Sequence, residues 1–160
     1  MKKLDFQPFI SYLSKEFTQF KPLKANVMSK QVALSVKCIH CDASLMDEKV
    51  QFNGHASVKV NVETEHDRGV LWMSSVYGEY DKKLSIEVED GEIVGMFCPH
   101  CNKELSSVEH CRYCEAPMVE FVIRAGGVVL VCSRKGCTNH HIEFRDVGSE
   151  MSKFYYEYGF

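Results

Sequence analysis

Residues 98–137 read CPHCNKELSSVEHCRYCEAPMVEFVIRAGGVVLVCSRKGC, and this stretch decides how the chain folds. It holds six of the eight cysteines in three close pairs, Cys98/Cys101, Cys111/Cys114 and Cys132/Cys137, while the fourth pair, Cys38/Cys41, stands upstream in CIHC. Four close pairs supply two sets of four thiolates, the ligand count of two closed tetrahedral metal sites. A C-x2-C turn suits this task because it points two sulfurs at one ion while backbone N–H groups of the turn donate to them. The residue after the second cysteine commonly needs a left-handed backbone. Asp42, Asn102 and Glu115 fill that position, of which Asp and Asn tolerate the conformation and Glu does so less comfortably. The last pair is spaced C-x4-C, with Gly136 before Cys137 supplying the freedom instead.

Working outward, the cysteine turns are delivered by β sequence. Val32, Leu34 and Val36 alternate with Ala33, Ser35 and Lys37 and run into Cys38. Residues 44–55, SLMDEKVQFNGH, read as irregular or as a short excursion ending at the Asn53-Gly54 turn signal. Val58, Val60 and Val62 alternate, Val70 to Tyr80 is an aromatic and β-branched run, and Leu84, Ile86 and Val88 alternate again. Asp90-Gly91 favours a tight hairpin whose second arm enters Cys98. MVEFVIR and VVLVC flank Gly126-Gly127 as a further hairpin ending at Cys132, and Ile142 to Val147 adds a last strand. Ahead of all this, residues 4–20 read as an amphipathic helix, with Phe6, Phe9, Ile10, Leu13, Phe17 and Phe20 on one stripe. The tail, Phe154-Tyr155-Tyr156-Glu157-Tyr158-Gly159-Phe160, is dense in rings and either packs back on the domain or binds something else.

On these residues the chain resembles the zinc-ribbon superfamily, in which two metal-binding turns at the ends of β-hairpins clasp one structural zinc. The resemblance is close for Cys111 to Cys137. Between Cys38 and Cys101 the same plan is stretched by 56 residues separating the two turns, which implies an inserted antiparallel sheet. It implies two Zn2+ ions, with iron as the alternative, because four thiolates suit both and CPHC resembles the rubredoxin turn. Cys38, Cys41, Cys98 and Cys101 are expected on one ion and Cys111, Cys114, Cys132 and Cys137 on the other, since each site then joins two strand-delivered turns. Grouping Cys98, Cys101, Cys111 and Cys114 is the competing assignment, because that spacing also makes a minimal ribbon.

The expected architecture is therefore mainly β with an N-terminal α-helix and two zinc-ribbon modules, the first carrying the inserted sheet. The organisation is helix and linker at 1–30, first ribbon at 31–105, second ribbon at 106–147 and aromatic tail at 148–160. The formal charge of −3 falls to roughly −7 when eight thiolates bind two divalent ions. Lysines and arginines are scattered, so nucleic acid is a disfavoured partner. The N-terminus lacks a secretory pattern and no window offers a membrane span, which makes a reducing cytoplasm the expected compartment. No H-E-x-x-H, phosphate-cradling glycine loop or nucleophile elbow is present, and a four-thiolate site has no open position for water. The expectation is a non-catalytic scaffold or accessory subunit that binds another protein through Phe6, Phe9, Leu13, Phe17, Phe154, Tyr155, Tyr156 and Tyr158. A rubredoxin-like electron carrier, a nucleic-acid-associated ribbon, and a metal-handling factor using His140 and His141 are the alternatives.

Overall fold

The computed structural model describes residues 2–3 and 31–159 of the chain. The helix expected over residues 4–20, with its stripe of Phe6, Phe9, Leu13 and Phe17, lies outside the described residues.

The described residues are mainly β and form two antiparallel sheets. In the six-stranded sheet, β1 (Lys2–Lys3) pairs with β11 (His140–Phe144), which pairs with β10 (Val128–Cys132), which pairs with β9 (Pro117–Ile123). The far edge of β9 is shared. β8 (Ser106–His110) bonds its N-terminal part and β2 (Val36–Lys37) its C-terminal end. The five-stranded sheet repeats this device: β4 (His55–Glu63) carries β5 (Arg68–Met73) on one edge, with β6 (Lys82–Leu84) beyond it. Its other edge is divided between β3 (Met46–Phe52) and β7 (Gly95–Phe97). Val58, Val60 and Val62 are buried, as alternation along a half-covered strand requires. They join Val36, Phe121, Val129 and Ile142 in one core that draws on both sheets.

Three segments fold differently from the sequence expectation. Residues 46–52 are a strand, β3, closed onto β4 through Asn53-Gly54. Its residues are exposed or half-buried, and an edge strand of that kind shows no apolar alternation to read. The hairpin expected at Asp90-Gly91 does not form. Gly91 does turn with positive φ, but residues 91–94 bond instead to the turn after Cys132: Gly91 N–H to Lys135 O at 2.9 Å, Lys135 N–H to Glu92 O at 2.9 Å and Val94 N–H to Ser133 O at 3.0 Å. The two arms, β6 and β7, then pair with β5 and β4. The run from Val70 to Tyr80 stops as a strand at Met73.

The Gly126-Gly127 hairpin of β9 and β10 forms as read, and the last strand starts at His140. The tail is a helix over Ser149–Tyr158, ended by left-handed Gly159, whose N–H donates to Tyr155 O. Phe154 is 0% exposed, with its ring 5.4 Å from Phe144 and 4.7 Å from Tyr158. The tail thus packs on its own domain.

Candidate metal centres

Each cysteine pair begins where a strand stops: Cys38 follows β2, Cys98 follows β7, Cys111 follows β8, and Cys132 ends β10. The three C-x2-C turns share one backbone pattern. The first cysteine donates its N–H to the carbonyl five residues on, Cys38 to Ala43, Cys98 to Lys103 and Cys111 to Ala116, at 2.9, 3.0 and 2.8 Å. The residue after the second cysteine donates back to the first cysteine's carbonyl, and for this it must be left-handed: Asp42, Asn102 and Glu115 have φ of 60°, 58° and 62°. In the fourth turn Gly136, at φ 92°, plays that part, and Cys137 N–H reaches Arg134 O at 3.1 Å.

These turns bring the eight sulfurs together in two sets, Cys38/Cys41/Cys98/Cys101 and Cys111/Cys114/Cys132/Cys137, each with every Sγ within 4.8 Å of the others. The competing set of Cys98, Cys101, Cys111 and Cys114 is not the one formed. Closest sulfur separations are 3.8 Å for Cys38–Cys101, 3.7 Å for Cys41–Cys98, 3.7 Å for Cys111–Cys137 and 3.4 Å for Cys114–Cys132. A tetrahedral ion with metal–sulfur bonds of about 2.3 Å sets its ligands about 3.8 Å apart, so both cages have the right size. All eight cysteines are free, and a disulfide would bring its sulfurs to about 2 Å. Donors also surround the sulfurs: the N–H groups of His40 and His100 reach Cys38 and Cys98 at 3.3 Å, and the Asn139 amide reaches Cys111 at 3.3 Å. Such bonds spread anionic charge off the thiolates.

Ionisation is unevenly prepared. Burial pushes the Cys98 thiol up to about 12 and also raises Cys132. Burial opposes ionisation at Cys111 too, but donation from the N–H groups of Tyr113 and Cys114 and from Asn139 outweighs it and brings that thiol down to about 6. A cation entering either cage must release protons from the buried members.

The first set has a second role in the architecture. Between β2 and β3 the chain passes from the six-stranded to the five-stranded sheet through Cys38–Cys41, and between β7 and β8 it returns through Cys98–Cys101. The segments VKCIHCDASL and MFCPHCNKEL do this alike: Leu45 and Leu105, both buried, donate back to Val36 O and Met96 O. Their own carbonyls accept from Lys59 in one sheet and Glu120 in the other. The cage therefore sits where both crossings meet.

No family model, curated protein or solved structure matches the chain. The likeness to zinc ribbons rests on the two cages, whose geometry is consistent with such metal sites.

The remaining expected residues separate clearly. His140 and His141 lie next to each other on β11 but have different partners: His140 Nδ1 donates to Thr138 O, and its Nε2 accepts the Gly78 N–H at 3.2 Å. His141 bonds Glu143. The His140 ring also lies edge-on to Tyr77 and tilted against Tyr80, which ties residues 74–81 to the start of β11 beside a largely apolar cleft of about 350 Å³ lined from both sheets. Of the tail residues, Phe154 is core, Tyr155 and Tyr158 are half-buried, and Tyr156 is exposed. Sequence reasoning missed Asn139, whose only signal was a side-chain amide two residues past Cys137. No helix among the described residues is long and apolar enough to cross a membrane.

Proposed function

We propose that the chain is a non-catalytic scaffold or accessory subunit that holds two structural zinc ions and binds another protein within a larger complex. The observation that carries this reading is that all eight cysteines fall into two closed four-thiolate cages at strand ends. Such a cage leaves no position for substrate or activated water, so its ion stabilises the fold without taking part in chemistry. Eight free thiols persist in a reducing compartment, which fits a cytoplasmic protein.

Large exposed side chains beside the second cage support a docking role: Val108 and Tyr113, on β8 and that cage's first turn, are 93% and 73% exposed. Tyr156 adds a third on the C-terminal helix. The test is capture by the full chain with its metals loaded, followed by reconstitution of the captured protein as a purified pair. Loss of that pair on Tyr113→Glu with metal content unchanged supports the reading. A pair that forms equally well with Tyr113→Glu and Val108→Glu contradicts this surface, and turnover of a substrate contradicts the non-catalytic role.

A rubredoxin-like carrier is the second reading, favoured by the paired N–H···S bonds at Cys38 and Cys98. It requires iron and a visible absorption band that changes on reduction.

A further inference from the structure

The two cages are alike in ligands but not in access. In the first, Cys38 and Cys98 are buried, Cys101 is half-buried and Cys41 is exposed. In the second, Cys111 and Cys132 are buried, Cys114 and Cys137 are half-buried, and no member is exposed. A coordinating thiol is already deprotonated, so what decides its attack on an oxidant is whether the oxidant can reach it.

The surroundings widen this difference. Sulfurs of the second cage accept the Asn139 side-chain amide, at 3.3 Å to Cys111, and the Arg134 backbone N–H, at 3.5 Å to Cys132. The Arg134 guanidinium also lies against that cage, donating to Cys114 O at 3.4 Å and to Gly91 O at 2.6 Å. Side-chain donors and a neighbouring cation draw charge from the sulfurs and lower their nucleophilicity. In the first cage the N–H groups of His40 and His100 donate at 3.3 Å to Cys38 and Cys98, the two buried sulfurs. The exposed Cys41 stands 3.7 Å, sulfur to sulfur, from Cys98, although the two are 57 residues apart and on opposite crossings between the sheets. An accessible thiolate beside a shielded one is the arrangement of an oxidation-sensing pair, the first taking the oxidant and the second resolving it.

We propose, resting on the reading of both cages as zinc sites, that Cys41 is an oxidation site through which a hydroperoxide empties the first cage while the second keeps its ion. The Cys41 sulfur attacks one peroxide oxygen, the O–O bond breaks and hydroxide leaves, giving a sulfenic acid. The Cys98 thiolate then attacks that sulfur, forms the S–S bond and expels a second hydroxide. Both hydroxides take up protons, so two thiolates are oxidised to one disulfide while one hydrogen peroxide is reduced to two waters. With two of its four thiolates spent, the first cage gives up its ion. The new bond ties the same two turns that the ion held, and reduction by a thiol restores the cage.

The experiment counts zinc in the full chain purified without oxygen, adds one equivalent of hydrogen peroxide beside a coloured zinc indicator, and maps the cysteines after alkylation. Two ions at the start uphold the zinc reading by themselves; fewer end that reading and this inference with it. The expected result is release of one ion at least about tenfold faster than the other, with Cys41–Cys98 as the first disulfide. Loss of both ions at one rate, loss from the second cage first, or a first disulfide lacking Cys41 or Cys98 overturns the proposal and leaves the two zinc sites standing.

Discussion

The Cys38 and Cys101 sulfurs lie 3.8 Å apart although 63 residues separate them, and everything between is the five-stranded sheet with its entry and exit. An ion held by this set would close that sheet into a loop held against the other. Cys41→Ser should therefore loosen both sheets. A structural zinc contributes about 10–16 kcal/mol in small modules, so loss of one ligand in four costs about 3 kcal/mol. Hydrogen exchange at β4 and at β9 should quicken together. Slowly exchanging β9 amides in a Cys41→Ser chain with fast β4 amides would show that the sheets are independent.

At the second cage the same loss should be more local. Cys114→Ser removes a ligand from a set contained in β8, β10 and their turns, so exchange should rise first around residues 106–139 and along residues 91–94, which bond that cage's last turn. β3 to β5 should be protected longest. Mass spectrometry of exchanged fragments measures this order.

The tail offers a sharp contrast between adjacent rings. Phe154→Ala opens a cavity beside Phe144 and should cost about 3–5 kcal/mol, whereas Tyr156→Ala, at 90% exposure, should change stability by less than about 0.5 kcal/mol. Denaturant midpoints for the two variants check both numbers.

The latch on residues 74–81 should respond to pH. Burial holds His140 below its ordinary value of 6.5, against a smaller upward pull from the Thr138 carbonyl. A depressed histidine stabilises the fold fully above its unfolded value and loses that contribution as pH falls from about 6.5 through the folded value. Protonation also removes the lone pair that accepts the Gly78 N–H. The protection of the Gly78 amide, its exchange rate relative to that of the same amide unfolded at each pH, should fall below pH 6.5 in the parent chain, and that fall should vanish in His140→Gln.

Much of this was legible because thiolate turns and strand ends write themselves locally. Asp42, Asn102 and Glu115 announced left-handed positions, and Gly126-Gly127 announced the β9–β10 hairpin, through short-range sterics alone. What did not show was partner choice. Asp90-Gly91 has the composition of a hairpin turn, yet residues 91–94 pair with residues 133–135, a competition decided by the tertiary position of the second cage. β3 escaped notice because an edge strand with polar outward residues carries no apolar alternation.

The central claim is that two four-thiolate cages, each closed on one ion, hold this fold together, and metal content with thiol counting on protein purified without oxygen tests it most directly. The account predicts two colourless zinc ions in the cysteine cages per chain, eight cysteines that resist alkylation until a chelator is added, and loss of the folded β signal when the metal is withdrawn. A chain that stays folded with no metal bound, or whose cysteines are joined as disulfides, would contradict it.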